Sequence, residues 1–461
     1  VTRHLSEHLH TAALLGRFVR ARWGRRFRSR AAIERHQARR LAALLRRAAR
    51  SPFYASRVAP GGRRRLDDFP VVDKQTVLAH FDELNIRGVR LAEALGVALE
   101  AERSRDFAPV VAGDLTVGLS SGTSGRRGVF LVSPRERMLW AGTVLGRLLD
   151  TTALGRIARF WEPPLRIGFF LRAGGHLYES VSSSRVRFTF FDLTEPLDTH
   201  RTELARAEAA GEAPELLVAP ASVLDALARD ALRGASGFRP LQVVSVAEVL
   251  EPDLAERIVA AWGRPVRQVY QATEGLLGVS CHAGALHLNE ESVVVEREWL
   301  DAARTRFVPV LSDVERRTQL VLRYRLDDVL RVDPQAPERC ACGRVTTVVA
   351  EVEGRADAVL ELPSTDGRRL VELFPDTVRQ AFASVLTPQD GEPFTDWTLR
   401  QRGLDLHFSL RDAAPGAAEA ATSSIEHLLE THGCSARVIE EPWVARDPAT
   451  KLRRIAREHA V

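Results

Sequence analysis

At 461 residues the chain is long for one core, and two or three domains are expected. Its 45% apolar and 27% charged residues exclude a disordered or fibrous protein, and no stretch supplies the roughly 20 uninterrupted apolar residues of a membrane-spanning helix. Arginine breaks the apolar positions at the N-terminus, which argues against a secretory signal and for a cytoplasmic protein, and four cysteines in so long a chain exclude a disulfide framework.

The net charge of +5 is unevenly placed: residues 1–65 hold 18 arginines against Glu7 and Glu34, a balance of +16 that leaves about −11 for the remainder. A nucleic-acid arm is one reading of that excess. Neither a groove-reading motif nor a stacking platform accompanies it, so amphipathic helices with arginine on their outer faces are the better reading, their apolar faces coming from residues 12–15, 41–45 and 48–49. These helices are expected to end near Ser51-Pro52, where proline discourages continuation. Gly61-Gly62 opens a loop, and Phe69-Pro70-Val71-Val72-Asp73-Lys74 leads into a helix with Asp73 as its N-cap. Lysine occurs only at Lys74 and Lys451, against 63 arginines, which marks both as places where a compact ammonium on a flexible stem is wanted.

From about residue 110 the pattern reads strand, loop, strand, then a helix over 134–149. The loop Ser120-Ser121-Gly122-Thr123-Ser124-Gly125, followed by Arg126, Arg127 and Gly128, packs hydroxyls and glycines between two apolar runs. Its amide N–H groups and hydroxyls can face phosphate oxygens, with a flexible surface turn as the plain alternative. It lacks the Gly-Lys-Ser/Thr of a Walker A loop. Short apolar runs at 166–172, 186–191, 216–219 and 243–246 alternate with helical stretches at 222–232 and 253–262, which predicts an α/β sheet covered by helices. His176, beside Gly174-Gly175, suits a substrate slot or a surface turn, whereas Trp161, Phe169 and Phe170 read as core.

Another short strand leads into Tyr270-Gln271-Ala272-Thr273-Glu274, where a ring, a hydroxyl and a carboxylate can stack on a base, contact a phosphate and hold Mg²⁺. Residues 320–328 end an apolar strand in Asp327 and Asp328, which suits a ribose diol or an exposed turn. Glu353-Gly354-Arg355-Ala356-Asp357 reads as a linker. Beyond it, strands at 358–362, 404–410 and 436–439 and helices at 375–386 and 417–431 form a small α+β domain of about 100 residues.

Cys281, His287, Cys340 and Cys342 offer soft ligands for a tetrahedral Cys₃His zinc site, with His282 the competing histidine. The alternative is four separate buried residues. Cys434 stands apart as a core thiol.

The phosphate-type loop, Tyr270 to Glu274, Tyr324-Arg325-Leu326-Asp327-Asp328, Gly354 to Asp357 and Lys451-Leu452-Arg453-Arg454 stand in an order and rough spacing that resembles the adenylate-forming superfamily. The resemblance runs from about residue 30 to the C-terminus. Within that superfamily, Phe69 to Lys74, Ser245-Val246-Ala247-Glu248, Cys340 to Arg344 and Leu373-Phe374-Pro375-Asp376 resemble the phenylacetate–coenzyme A ligase and coenzyme F390 synthetase branch. It implies an α/β fold with a large N-terminal domain, residues 1–354, that binds ATP and substrate and begins with the basic helices of 1–65. A hinge near Arg355 to Asp357 would lead into a mobile α+β lid, residues 355–461.

The resemblance further implies ATP and Mg²⁺, with a substrate oxyanion attacking the α-phosphorus and pyrophosphate leaving. Ser120, Ser121, Gly122, Thr123, Ser124 and Gly125 would hold the β- and γ-phosphates. Tyr270 would lie against adenine, Thr273 would touch the α-phosphate and Glu274 would hold Mg²⁺. Asp328 would accept from the ribose hydroxyls with Arg344 or Arg355 nearby, and Lys451 would reach the reacting oxygens. Arg126, Arg127, Gly128 and Asp327 depart from the usual pattern and leave the acceptor open.

The leading expectation is an ATP-dependent ligase that activates a small aromatic carboxylic acid and passes it to a thiol, coenzyme A, or to an amine. One alternative is activation of an inorganic oxyacid such as nitrite, for diazotisation and nitrogen–nitrogen bond formation in specialised metabolism. Another is a degenerate, non-catalytic binding module, against which Glu274, Asp328 and Lys451 all speak. No nucleic-acid or membrane partner is expected, and a homodimer is compatible with the sequence.

Overall fold

The structure, a computed structural model, describes residues 2–24, 27–57, 64–119, 128–171, 184–193, 195, 197–355, 358–373, 375–385, 393–445 and 453–458. The chain divides into two compact units. The first comprises Val1–Thr305, Pro309–Leu326 and Val332–Ala350, and the second Arg306–Val308, Asp327–Arg331 and Glu351–Val461.

The first unit is built on a sheet whose apolar runs lie parallel in the order Val266–Ala272, Gln242–Val246, Leu216–Ala219, Leu165–Leu171 and Val186–Asp192. Beyond Val266–Ala272 the sheet continues antiparallel through Gly275–Ser280, Leu286–Leu288 and Val348–Val349. The period of two sends neighbouring side chains to opposite faces: Leu217 and Val243 join a core with Phe170, Ile258 and Trp262, while Leu216, Val218 and Val244 join another with Ile167 and Leu148. Helices Ala221–Leu232 and Pro252–Trp262 cover the first face, burying Leu224, Leu227, Leu254 and Ile258. This is the α/β class read from the sequence.

Helix Pro134–Leu148 starts with a capping box in which Ser133 Oγ accepts from the Glu136 amide at 3.4 Å and Glu136 Oε2 accepts from the Ser133 amide at 2.8 Å. Helix Thr2–Trp23 lies against it at two glycines. A Cβ on Gly142 would stand 2.6 Å from the Leu14 carbonyl oxygen, and one on Gly146 2.8 Å from that of Phe18, so only glycine permits this approach.

Contrary to the expectation of arginine on outer faces alone, several arginines of the N-terminal helices point inward, because acidic groups of the later chain lie beneath them. Arg17 donates to Thr143 Oγ1 at 2.7 Å, Glu315 at 3.0 Å and Ser292 at 2.6 Å. Arg30 pairs with Glu290 at 2.5 Å and Arg40 with Glu315 at 3.2 Å. Helix Arg30–Ala48 ends before Ser51-Pro52, and Pro52 begins the short helix Pro52–Ala55, because a first-turn position needs no N–H. Asp73 caps helix Lys74–Ala79, accepting from the Thr76 amide at 2.8 Å.

The strands flanking the glycine-rich loop, Thr116–Leu119 and Val129–Val132, form an antiparallel hairpin with Leu119 opposite Val129. The loop between them, Ser120 to Gly125, lies outside the described residues, as do His176 and Lys451. Phe170 is fully buried, but Trp161 is 70% exposed and packs edge-on against Phe160 instead of entering the core.

In the second unit, Glu351–Arg355 is a strand rather than a linker. It pairs antiparallel with Asp328–Arg331, so Asp328 begins a strand rather than ending one. That pairing draws Asp327–Arg331 into the later unit, a grouping no linear boundary expresses. The rest contains a four-stranded sheet, ordered Val438–Glu440, Asp405–Arg411, Asp396–Arg402 and Ile455–Glu458. Helices Pro375–Val385 and Ala417–Thr431 contribute to its core, where Phe382 stacks on Trp397 at 3.9 Å.

Candidate functional site

In open α/β sheets ligands bind outside the carboxyl ends of the parallel strands. Tyr270 lies near that end of Val266–Ala272, and Thr273 and Glu274 form the turn into Gly275–Ser280. All three are half-buried, accessible to a ligand yet fixed at one end by the sheet. Tyr270 packs against the core that contains Tyr324, Leu311 and Leu277. A Cβ on Gly118 would meet the Thr273 methyl at 3.3 Å, so the strand feeding the Ser120–Gly125 loop runs beside Thr273. On the loop's far side Phe130 packs edge-on against Tyr324, ring centroids 5.9 Å apart. The Phe69 to Lys74 segment joins the same cluster, the Val72 amide donating to the Arg323 carbonyl at 2.9 Å and the Arg325 amide to the Val72 carbonyl at 2.8 Å. At the end of the adjacent strand Gln242–Val246, Ala247 takes φ of 66°, a strained conformation for a residue with a Cβ.

Behind the Thr273–Glu274 turn stands a buried charge network that the motif reading passed over. A Cβ on Gly275 would sit 3.4 Å from Asp313 Oδ2, and Asp313 Oδ1 accepts from the Glu315 amide at 2.8 Å. Burial pushes Asp313 up to about 7, with Arg316 opposing the shift and Glu315 and Glu136 adding to it. Arg316 is fully buried, 3.8 Å from Glu136 and 5.5 Å from the Trp140 ring centre. Burial alone would raise Glu136, yet Arg316 and the amides of Ser133 and Arg317 hold it below the usual carboxylate range. The available signal was a carboxylate closing the apolar run Phe307 to Leu311.

Within the second unit, strand register sets Asp328 opposite Arg355. Gly354 has φ of 116°, which only glycine adopts without strain. Arg344 lies in the first unit, fixed by Glu291 at 3.2 Å and the Ala21 carbonyl at 3.0 Å, beside the cysteines.

Cys281, His287, Cys340 and Cys342 converge, their ligand atoms all within 4.8 Å of one another. Two similar turns present the cysteines. The Cys281 amide donates to the Ala285 carbonyl and the Gly284 amide to that of Cys281, while Cys340 pairs likewise with Arg344 and Gly343. Gly284 and Gly343 close these turns at φ of 86° and 83°. Cys281 Sγ and Cys340 Sγ are 4.0 Å apart, and Cys342 Sγ is 3.4 Å from His287 Nε2. A tetrahedral zinc, with Zn–S about 2.3 Å and Zn–N about 2.0 Å, separates its ligand atoms by about 3.5 to 3.8 Å, so the set fits the ion. His287 Nδ1 lies 3.2 Å from the Thr346 carbonyl, which it serves as donor, leaving the Nε2 lone pair toward the sulfurs. Burial lowers His287 to about 4 and raises the Cys342 thiol to about 12, so a cation is what would make a thiolate favourable there. His282 is exposed and outside the cluster, and Cys434 is buried separately in the second unit.

No protein-family profile matches the chain, and no curated protein matches it by sequence. Solved structures do match. A 2-hydroxyisobutyryl-CoA ligase in the postadenylation state with 2-HIB-AMP is 15% identical, with TM-score 0.61, covering 95% of this chain and 91% of its own. The same ligase with R3-HIB-AMP gives TM-score 0.60 at 15% identity over 93% and 90% of the two chains. GH3.15 acyl acid amido synthetase is 12% identical, with TM-score 0.52, over 86% and 83%. Over most of its length, then, the chain has the fold of the adenylate-forming ligases.

Proposed function

We propose that the protein adenylates a small, aromatic carboxylic acid with ATP, releases pyrophosphate and passes the acyl group to a thiol, such as coenzyme A, or to an amine. The observation that carries this reading is the half-buried Tyr270, Thr273 and Glu274 at the carboxyl end of the sheet, beside the strand that enters the Ser120–Gly125 loop, in a fold shared with ligases of that chemistry. Glu274 offers oxygen ligands to Mg²⁺, which when bound neutralises phosphate charge. The Tyr270 ring would stack on the base, the Thr273 hydroxyl would donate to an α-phosphate oxygen, and the amides and hydroxyls of Ser120 to Gly125 would cradle the leaving phosphates. Asp328 and Arg355 belong to the second unit, where Asp328 can accept from a ribose diol. Lys451 would supply a point charge to the reacting oxygens. Such a site works by positioning and charge neutralisation and needs no protein nucleophile.

The four-residue cluster would hold one structural zinc, tying the Cys281 turn to the Cys340 turn. The deciding experiment measures pyrophosphate release across a panel of acids, nitrite included, with and without coenzyme A and amines. Release with an aromatic acid supports the proposal, and none with any acid sinks it.

A further inference from the structure

A cavity of about 510 Å³ lies beside the cysteine–histidine cluster, lined by Arg22, Arg147, Arg267 and Arg344 together with Asp150 and Cys342. It is remote from the adenylation residues. Arg267 is the second residue of strand Val266–Ala272 and Thr273 stands six residues on, so at about 3.3 Å per residue the two are about 20 Å apart along the strand.

Four guanidiniums converge here from separate elements. Arg22 comes from helix Thr2–Trp23 and donates to the Leu149 carbonyl at 2.6 Å, and Arg267 donates to the Leu148 carbonyl at 2.7 Å. Both carbonyls close helix Pro134–Leu148, whose terminus carries only about half a negative charge. Arg147 pairs with Glu291 at 2.7 Å and with the Asn289 side-chain oxygen, and its buried Nε has no hydrogen-bond partner among the described residues. Arg344 shares Glu291 at 3.2 Å.

Capping a helix end accounts for Arg22 and Arg267 taken singly. It does not account for four cations around one open volume with Asp150 and Glu291 as the nearby carboxylates. Even a zinc with three thiolates, net −1, leaves that count positive. Arg267 is only 9% exposed and donates to a neutral carbonyl, and a cation held so far from water is costly unless an anion compensates it. The volume falls within the about 300 to 1,000 Å³ of small-molecule sites, and guanidinium forks match the oxygens of phosphate and carboxylate.

We propose that this cavity binds a small anion bearing a phosphate or carboxylate group, at a site separate from the one that would hold the nucleotide. Its occupant bridges the N-terminal helix and the Cys340 to Arg344 turn.

Calorimetric titration of the purified full chain with inorganic phosphate and with malonate, each against sodium chloride at matched ionic strength, tests this. One equivalent is expected to bind, and Arg22→Gln and Arg267→Gln are each expected to weaken it at least about tenfold, the loss of one charge-assisted contact. Binding of phosphate alone identifies a phosphate-bearing ligand, and binding of malonate alone a carboxylate. Arg22 is only half-buried, so Arg22→Gln keeps the test interpretable if Arg267→Gln misfolds. Binding no stronger than chloride's, or unchanged affinity in a folded Arg22→Gln protein, would overturn the proposal.

Discussion

Asp313 lies against Gly275, the residue after Glu274, yet the two carboxylates differ in burial. Glu274 is half-buried and can meet an ion. Its change to Gln removes a charge without opening a cavity, so the variant is expected to melt like wild type and to release no pyrophosphate. Normal release by the folded variant would remove Glu274 from the metal assignment. Burial favours the neutral form of Asp313, moving its pKa up to about 7 from an ordinary 3.8. The unfolded chain ionises first on raising pH, so this group's stabilisation is complete below about pH 4 and is lost as pH rises toward 7. Asp313→Asn is expected to abolish that part of the pH dependence, gaining on wild type between pH 4 and 7 and running parallel above it, as read from urea midpoints. A constant offset across that range would show that Asp313 is ionised in the folded protein. For Lys451, Lys451→Ala is expected to slow adenylate formation by at least about a hundredfold in single-turnover kinetics, with ATP affinity little changed. Lys451→Arg is expected to be impaired too, because a planar fork replaces a point charge poorly. Wild-type rates in both would assign the lysine no role.

At the scale of elements, the contact between helices Thr2–Trp23 and Pro134–Leu148 depends on two missing side chains. Gly146→Ala would place a Cβ 2.8 Å from the Phe18 carbonyl and 2.9 Å from Ala21 Cβ, both unable to yield without moving the helix. A loss of about 1 to 3 kcal/mol is expected, with faster amide exchange concentrated in residues 11–23. Unchanged exchange there would mean the helices sit farther apart. Apolar periodicity announced both helices, but not their pairing. Gly142 and Gly146 look like ordinary weak helix positions until the partner backbone is placed against them. The central strands of the parallel sheet were legible for a related reason: Leu216–Ala219 and Gln242–Val246, buried on both faces, are nearly continuous apolar runs, whereas Asp396–Arg402 alternates with charge and carries no such signature.

For the whole molecule, part of the arginine excess at the N-terminus is met inside the fold, where Arg30 pairs with Glu290 and Arg17 and Arg40 pair with Glu315. The metal cluster acts at the same scale, since it would join residues 281–287 to 340–342 across an intervening stretch that itself forms strands. Purified protein never exposed to chelator is expected to contain about one zinc per chain, and Cys342→Ala to lose both metal and thermal stability. Metal analysis finding none in the wild type would leave the four residues as neighbours in a core.

By itself the sequence determined the α/β class, because burial demands apolar runs at fixed periods, and it determined which residue types could serve phosphate, Mg²⁺ or zinc, because that chemistry resides in the side chains. Spacing also named the three cysteines that meet, with His287 or His282 as the fourth member. Only the tertiary structure decided that His287 and not His282 faces the sulfurs, that Asp328 lies in register with Arg355, that Asp313 stands behind Gly275, and that four arginines from distant segments share one cavity. These depend on strand register and helix approach, which are set by contacts between residues far apart in the chain and leave no period in the sequence to read.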